Sequence, residues 1–220
     1  ISFKERTQHS ILERYGMSET GILTSNPLMG VRKPSSVGLP LKGVDLRVVD
    51  DKGSPVPARS TGEIEVSGEN VFPGYQGLPE VNRDSFREDG FFRTGDQGYL
   101  DEEGYLFIVG RSKDIIITGG MNVYPKEIER EIDALPNVVE SAVFGVPHHD
   151  FGEATIAAVV AESHRGVQET ELLTGLRRKL AGYKIPKRIL VVDELPRNTM
   201  GKVQKNMLRD RFAEVFKGKG

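Results

Sequence analysis

"GRSKDIIITGGMNVYPKEIE", residues 110 to 129, marks a change in the pattern of the sequence. Its apolar run "DIIIT" predicts a strand, "GGMN" predicts a flexible turn, and "PKEIEREIDAL" predicts a helix with a proline near its first turn. Ile128, Ile132 and Leu135 stand at positions i, i+4 and i+7, so this helix carries one apolar stripe. The polar, glycine-led start "GRSKD" predicts a domain boundary that permits a hinge at residues 110 to 114.

The residues after this helix continue the mixture of strands and helices. Two apolar runs, "ESAVFGV" and "ATIAAVVAE", predict strands, and a helix is expected around residues 169 to 181. A strand "RILVVDE" and a terminal helix after Gly201 follow. Residues 111–220 are therefore predicted to form an α+β domain of roughly 110 residues, within the common range of domain sizes.

Residues 37 to 109 show short β-rich runs separated by turn signals, and their spacing predicts a small sheet or barrel. The runs are "VDLRVVD", "GEIEVSG", "GFFRTGD" and "GYLFIVG", with hairpin turns predicted at residues 51 to 53 and 102 to 104. Further upstream, "FKERTQHSILERYG" resembles a helix end that leads into a short strand, "ILERYG". Because the chain starts at Ile1 and enters such a pattern midway, we expect it to be the back part of a longer protein.

The composition is typical of a globular protein and excludes several classes of site. The 220 residues are 37% hydrophobic and 28% charged, and the net charge of -2 gives no nucleic-acid or membrane footprint. No apolar run approaches the ~20 residues that span a bilayer. The absence of cysteine excludes disulfides, thiolate metal sites and cysteine nucleophiles. His148 and His149, beside Asp150, are expected to lie at the surface rather than to bind a metal.

One lysine, Lys202, stands in a loop of small and polar residues, "RNTMGKVQK", residues 197 to 205. A phosphate loop of the GxxxxGK[ST] type does not fit, because Pro196 occupies the position of its first glycine and Val203 replaces its magnesium-binding hydroxyl. By itself, a GK pair at a turn is typical of a solvated lysine. A functional role for Lys202 therefore depends on the rest of the sequence.

Four separated segments occur in a fixed order: "YGMSE" at residues 15 to 19, "TGD" at 94 to 96, the stretch at 110 to 129 and "PRNTMGK" at 196 to 202. Together with "GEIEVSGENVFPGY" between them, they resemble the adenylate-forming superfamily of acyl-CoA synthetases, peptide-synthetase adenylation domains and firefly-type luciferases. The resemblance covers almost the whole chain. It implies an α+β fold in which residues 1–110 are the C-terminal, β-rich part of a large nucleotide- and acyl-binding domain. Residues 111–220 would be the complete small mobile C-terminal domain.

The resemblance implies that a carboxylate reacts with ATP to give an acyl-adenylate and pyrophosphate, and that the acyl group then passes to a thiol. Lys202 resembles the lysine that bridges the substrate carboxylate and an α-phosphate oxygen, where a mobile point charge is suitable. Its loop would let the lysine be presented and withdrawn. Glu19 resembles the carboxylate that holds Mg²⁺ on the ATP phosphates, and Ser18 can donate a hydroxyl to phosphate. As isolated residues, these two would also fit a helix cap.

Further nucleotide contacts are implied for Tyr15 and Gly16 of the first motif, and for Asp96 and Arg111. Asp96 resembles the aspartate that accepts hydrogen bonds from both ribose hydroxyls, although aspartate is also routine in turns. Arg111 resembles a second nucleotide contact, and the alternative is a salt bridge at the boundary.

Three residues resemble positions that serve the later thiolation step. Lys113 falls at the family's hinge, about which the small domain swings between the adenylation and thiolation conformations. Gly119 and Gly120 resemble the pair that lets the backbone approach the pantetheine arm of CoA, because glycine has no Cβ. Turn geometry alone is the alternative explanation for both glycines.

The segments "LERYGM", "GGMNVYPKEIE", "GVPHHDFGE" and "LPRNTMGKVQK" resemble bacterial malonyl-CoA synthetases, so malonate is the expected substrate. Arg14 would then bind the second carboxylate, for which arginine offers a bidentate fork. A surface arginine beside Glu13 is the alternative, since neighbours on a strand point to opposite faces. A medium-chain or aryl-CoA synthetase is the other enzymatic interpretation.

ATP, Mg²⁺ and CoA are the cofactor and substrates that the resemblance implies, with a small carboxylate as partner and a bacterial-type cytoplasmic location. Family members carry a Gly/Ser/Thr-rich phosphate loop upstream, and none is visible in this sequence. We therefore expect the chain alone to be inactive in adenylation, and an inert fragment or a CoA-contacting module is the non-enzymatic alternative. Acetylation of Lys202 by a lysine acetyltransferase would remove the charge that the reaction needs.

Overall fold

Between Ser112 and Lys113 the chain divides into two units, Ile1–Ser112 and Lys113–Gly220. The structure is a computed structural model that describes residues 3–162 and 167–217. Within these residues, no helix has the length and apolar character needed to cross a bilayer. The helices Pro125–Asp133 and Glu169–Arg177 have 9 residues each, against the ~20 that a spanning helix requires.

A short helix and a hairpin begin the first unit. Helix α1 (Phe3–Thr7) is followed by strand β1 (Arg14–Met17), which confirms the expected passage from a helix end into a strand. The strand begins later than the predicted run "ILERYG". It pairs antiparallel with β2 (Gly21–Ser25), and β2 pairs in turn with β3 (Leu39–Pro40).

The β-rich runs of the sequence form a second antiparallel sheet, whose strands lie side by side in chain order. They are β4 (Asp45–Val49), β5 (Gly62–Ser67), β6 (Phe92–Leu100) and β7 (Leu106–Arg111). Both predicted turns are present. The N–H of Gly53 donates to the carbonyl of Asp50 (2.9 Å), and the N–H of Gly104 donates to that of Asp101 (3.0 Å).

One core joins the two sheets of the first unit. Tyr15 and Leu23 of the hairpin pack with Ile64, Val66 and Phe92 of the second sheet. Helix α2 (Pro79–Ser85), between β5 and β6, is not predicted by the sequence pattern. None of its residues is buried, so it has no apolar stripe that would reveal it.

The second unit is a sheet with helices on both faces. Its strands are β8 (Ile116–Thr118), β9 (Met121–Val123), β10 (Val138–His148), β11 (Gly152–Ala161) and β12 (Arg188–Val191). Its helices are α3 (Pro125–Asp133), α4 (Glu169–Arg177) and α5 (Lys205–Phe212). The order in the sheet is β10-β11-β8-β9, and β12 lies parallel to β11.

The central strands of this sheet explain the continuous apolar runs in the sequence. Val143 and Ala157 pack in one core with Ile132 of α3, whereas Phe144 packs in a second core with Leu208 of α5. Because both faces of β10 and β11 are covered, neighbouring residues along each strand are buried alternately in the two cores, and the polar alternation of a half-exposed strand is lost.

The predicted apolar stripe of α3 is confirmed at Ile128 and Ile132, whereas Leu135 lies beyond the last residue of the helix and is partly buried against the same core. Three other predicted boundaries are wrong. The strand "DIIIT" begins only at Ile116, because Ser112–Asp114 forms a 3₁₀ turn. The turn predicted for "GGMN" is confined to its glycines, and Met121 already begins β9. The helix predicted to reach residue 181 ends at Arg177, because the chain then tightens into a 3₁₀ turn at Gly182–Lys184.

Candidate active site

The motif "YGMSE" forms the hairpin of the first unit. The loop between β1 and β2 holds Ser18 and Glu19, and it is closed by the N–H of Thr20, which donates to the carbonyl of Met17 (3.1 Å). A bulge between Tyr15 and Gly16 changes the register of the two strands. A Cβ on Gly16 would lie 2.1 Å from the carbonyl oxygen of Gly21, so the neighbouring backbone leaves room only for glycine.

Replacing Gly16 with alanine is expected to destabilise the first unit by about 1–3 kcal/mol, because the new methyl group forces the backbone of β2 to move. Gly110→Ala is a matched control, since a Cβ there meets no atom of the described residues within 4 Å. Its effect should stay within about 0.5 kcal/mol. Urea unfolding of both variants measures the difference. Equal stability of the two variants would show that the hairpin relaxes without strain.

Tyr15, Asp96 and Arg111 meet beside this hairpin. The Tyr15 hydroxyl donates to Asp96 Oδ2 at 2.6 Å, and Arg111 Nε lies 3.3 Å from Asp96 Oδ1. The register of β6 with β7 places Arg111 directly opposite Asp96, while the N–H of Asp96 donates to the Thr94 hydroxyl (3.1 Å). Tyr15 and Asp96 are both buried. Burial, followed by the Asp96 charge, raises the pKa of Tyr15 well above its ordinary value.

Glu19 has a partner that sequence reasoning missed. The hydroxyl of Tyr75 donates to Glu19 Oε1 at 3.0 Å. Burial, followed by this hydrogen bond, raises the pKa of Tyr75. Asn82 of α2 fixes the backbone of Tyr75, because its Oδ1 accepts the Tyr75 N–H (2.7 Å) and its Nδ2 donates to the Tyr75 carbonyl (2.9 Å). The motif "GENVFPGY" contains Tyr75 and could have suggested it, but Asn82 lies on the unpredicted helix.

Arg14 and Ser18 lie at the surface of the first unit. Arg14 is exposed while its neighbour Tyr15 is buried, as expected for adjacent residues on a strand. Within the described residues, neither Arg14 nor Ser18 makes an ion pair or a side-chain hydrogen bond, so both are available to a ligand.

The loop that carries Lys202 in the second unit is closed by hydrogen bonds. Asn198 Oδ1 accepts the N–H groups of Met200 (3.0 Å) and Lys202 (2.9 Å), and the Asn198 N–H donates to the Lys202 carbonyl (2.9 Å). The Arg197 guanidinium donates to the Gly201 carbonyl (2.6 Å). Lys202 itself is exposed. These hydrogen bonds hold the backbone of the loop, and the lysine side chain projects from the turn that they close.

An ion pair between a half-buried lysine and a buried glutamate anchors the helix that follows this loop. Lys205, the first residue of α5, places Nζ 2.6 Å from Glu129 Oε1 of α3. Glu129 is buried, and its Oε1 also accepts the N–H of Val143 on β10 (3.0 Å). Helix α5 is thus tied at its start to both α3 and β10, three residues after Lys202.

The predicted hinge and CoA residues also belong to the second unit. Lys113 is its first residue and is exposed within the 3₁₀ turn Ser112–Asp114. Gly119 and Gly120 have φ angles of 57° and 78° and form the turn between β8 and β9. A Cβ on Gly120 would meet no described atom within 4 Å. Positive φ accounts for glycine at both positions, and the space beside Gly120 leaves room for a ligand.

The histidine pair lies at the end of β10, where His148 is the last residue of the strand and His149 is in the turn that follows. His149 and Asp150 are exposed and His148 is half-buried, with ligand atoms of all three within 4.8 Å of one another. His148 Nδ1 already accepts the Asp150 N–H at 3.2 Å, and His149 Nε2 lies 3.0 Å from Asp150 Oδ1. The position of this turn at the surface agrees with the expectation from the sequence.

Comparisons with known proteins extend these observations. The family described as AMP-binding enzyme matches residues 2–76, and the family described as AMP-binding enzyme C-terminal domain matches residues 127–202. The malonate–CoA ligase of Arabidopsis thaliana is 44% identical over 92% of this chain and 35% of its own length. The feruloyl-CoA synthase of an Amycolatopsis species is 42% identical over 92% of this chain and 42% of its own length.

A solved structure, ATP-bound MatB from Rhodopseudomonas palustris, is 54% identical, with a TM-score of 0.93 over 97% of this chain and 43% of that chain. The chain belongs to the adenylate-forming superfamily. The resemblance based on the motifs and the α+β fold class are thereby confirmed. This member of the superfamily spans less than half the length of the relatives that it matches.

Proposed function

We propose that this chain is part of an ATP-dependent acyl-CoA ligase that converts a carboxylate, ATP and CoA into acyl-CoA, AMP and diphosphate. The observation that supports this most is its likeness to ATP-bound MatB, at 54% identity over 97% of the chain. A carboxylate oxygen attacks the α-phosphorus of ATP and the bond to diphosphate breaks. The CoA thiol then attacks the acyl carbonyl, and AMP leaves.

The chemistry of the first step needs positive charge, because one anion attacks another. Lys202 would provide this charge at the α-phosphate and at the substrate carboxylate. Its side chain is exposed on a turn that hydrogen bonds hold. Within the described residues Lys202 makes no ion pair, so its ammonium can contact a ligand without first breaking one. Asp96 and Arg111 would bind the nucleotide from the first unit.

Glu19 is the residue that would hold Mg²⁺. A hard cation prefers carboxylate oxygens and phosphate oxygens together. Glu19 Oε1 accepts one hydrogen bond from Tyr75, and within the described residues its Oε2 has no protein donor, so the carboxylate fits this role. When bound, the cation neutralises the ATP phosphates, and Tyr75 keeps the Glu19 carboxylate in one orientation.

For the substrate we propose malonate, because Arg14 is an exposed cation one residue before Tyr15 and could pair with a second carboxylate. Likeness to the malonate–CoA ligase supports this choice. An aryl substrate is the second candidate, since the feruloyl-CoA synthase is 42% identical. The two candidates differ in whether the acid carries a second negative charge.

The two units would have different tasks in this proposal. Residues 1–110 would be the C-terminal part of the large nucleotide- and acyl-binding domain, and residues 111–220 the small mobile domain. The two units of the fold, Ile1–Ser112 and Lys113–Gly220, divide two residues later. Lys113 would be the hinge, and Gly119 and Gly120 would admit the pantetheine arm of CoA. Acetylation of Lys202 stays a prediction that its exposure permits.

Carboxylate-dependent exchange of labelled pyrophosphate into ATP tests this function in the full-length protein that carries this chain. We expect exchange with malonate and weaker exchange with ferulate or butyrate. The 220-residue chain alone is expected to show none, because it lacks most of the length of its relatives, and it serves as the control. A full-length protein that shows no exchange with any of these acids would contradict the proposal.

A further inference from the structure

The acceptor positions of Asp96 are partly occupied by protein donors. An ionised carboxylate offers about four lone-pair positions on its two oxygens. The Tyr15 hydroxyl takes one on Oδ2 at 2.6 Å, and Arg111 Nε approaches Oδ1 at 3.3 Å. Each oxygen therefore keeps an acceptor position. A vicinal diol has two O–H donors side by side, which is the arrangement that two such positions can accept.

The two protein donors hold Asp96 to different degrees. The hydrogen bond from Tyr15 is short and its ring is buried, whereas the Arg111 side chain is 51% exposed and its contact is longer. Solvent weakens the Arg111 contact more than the Tyr15 contact. The ordinary pKa of tyrosine, about 10, already keeps the hydroxyl protonated in the neutral pH range, and the pKa of Tyr15 is raised further, so this hydroxyl can donate to Asp96.

We propose that Tyr15 is a positioning residue, whose buried hydroxyl fixes the Asp96 carboxylate so that it accepts both hydroxyls of a ribose. The proposal rests on the proposed function, in which Asp96 binds the ATP ribose. According to this proposal, the Tyr15–Asp96 pair makes the protein bind ribonucleotides more tightly than deoxyribonucleotides. The Tyr15 hydroxyl acts through Asp96, since its proton is already engaged there, and not by contact with the nucleotide.

Tyr15→Phe in the full-length protein tests this role, because it keeps the ring and removes only the donor. The nucleotides are ATP, 2′-deoxyATP and 3′-deoxyATP, and KM and kcat are measured in malonate-dependent pyrophosphate exchange. Calorimetric titration of the same nucleotides without any acid gives their Kd. We expect the KM for ATP to rise about tenfold, which is the scale of losing one hydrogen bond to a charged group. We expect kcat to change little.

The deoxynucleotide ratio is the decisive quantity. In the unaltered protein, each deoxynucleotide should have a higher KM and Kd than ATP. The ratio is the KM or Kd of a deoxynucleotide divided by that of ATP. In Tyr15→Phe this ratio should shrink, because a carboxylate that is free to rotate makes weaker hydrogen bonds with each ribose hydroxyl. In Asp96→Ala the ratio should approach one, and adding Tyr15→Phe to that variant should change nothing further, as expected for two residues that act through one contact.

Tyr105→Phe is the matched control. Tyr105 is another buried tyrosine of the first unit, but its hydroxyl donates to the Val31 carbonyl at 2.7 Å. This variant should keep the deoxynucleotide ratio of the unaltered protein. If Tyr15→Phe fails to fold, Asp96→Glu replaces it, since the longer side chain keeps the charge and displaces the carboxylate from the Tyr15 hydroxyl. It should show the same reduced ratio.

The outcomes separate this proposal from the function on which it rests. One outcome would overturn the role of Tyr15 and leave the proposed function intact. In it, Asp96→Ala loses the discrimination between ATP and the deoxynucleotides, but Tyr15→Phe keeps the ratio of the unaltered protein. The same holds for an unchanged ratio in Asp96→Glu, where that variant is used. Absence of exchange with normal nucleotide binding would overturn the proposed function alone, because the Kd ratios still report on Tyr15. Absence of nucleotide binding in the unaltered protein would overturn both.

Discussion

Lys202→Ala in the full-length protein is expected to slow acyl-adenylate formation by at least ~10²–10³-fold, the usual scale for loss of one transition-state electrostatic contact. The lysine is exposed on a turn that hydrogen bonds hold in place, so the substitution removes a charge and leaves the surrounding backbone intact. Thiolation that starts from preformed malonyl-AMP should suffer much less. Single-turnover rates of the two half-reactions measure this division.

Lys217→Ala provides the control for a lost surface charge. Lys217 is 68% exposed, lies in the same unit, and pairs with Glu214 at 2.6 Å. It should leave both half-reactions unchanged. Equal losses in both half-reactions of Lys202→Ala would contradict a role confined to adenylation, and a loss in Lys217→Ala would point to general electrostatics instead.

Arg14→Met is expected to reduce kcat/KM for malonate strongly while keeping or increasing kcat/KM for butyrate. Arg14 is exposed in this chain, so the size of the effect depends on how far bound malonate and the rest of the full-length protein desolvate it. With that desolvation, a substrate carboxylate left without its partner should cost roughly 2–5 kcal/mol. This corresponds to about 30-fold to several-thousand-fold at ~1.4 kcal/mol per decade. Arg14→Lys should fall between, because an ammonium supplies charge without the bidentate fork. The measurement is kcat/KM for malonate and butyrate in each protein.

Arg59→Met is the matched control for Arg14. Arg59 is another exposed arginine of the first unit, and its guanidinium pairs with Glu102 at 2.7 Å. Its removal should leave the preference for malonate unchanged. A preference for malonate that survives in Arg14→Met would mean that a different residue binds the second carboxylate.

The periodicity of apolar residues predicted the helices and strands that bury one face. Turns that favour glycine predicted where several strands end. The stripe of Ile128 and Ile132 predicted α3. The runs between glycine-containing turns located β4, β5 and β7 to within two residues, whereas β6 continues to Leu100, beyond the predicted run that ends at Asp96. Helix α2 has no buried residue, so the period of its apolar residues carried no information. Strand β9 was hidden for another reason, since the two glycines before Met121 suggested flexibility where a tight hairpin turn forms.

The candidate site divides in the same way. Motifs supplied Tyr15, Asp96 and Glu19 but not Tyr75. The pairs Tyr15–Asp96 and Tyr75–Glu19 join positions 81 and 56 residues apart, which only tertiary packing brings together. The Asn198 turn was accessible to local reasoning, because asparagine side chains commonly accept backbone N–H groups two residues onward. The catalytic and binding roles of these residues remain predictions.

The closed turn around Lys202 has a consequence for the physics of turnover. Hydrogen bonds leave the lysine its own side-chain torsions but hold the backbone that carries it. If Lys202 serves adenylation and then withdraws, as proposed, it would have to travel with the body to which its turn is attached, since α5 is tied to α3 and β10 through Glu129. Under the proposed function, the passage between half-reactions would then be a diffusive displacement against solvent friction, and the viscosity of the medium would enter its rate directly.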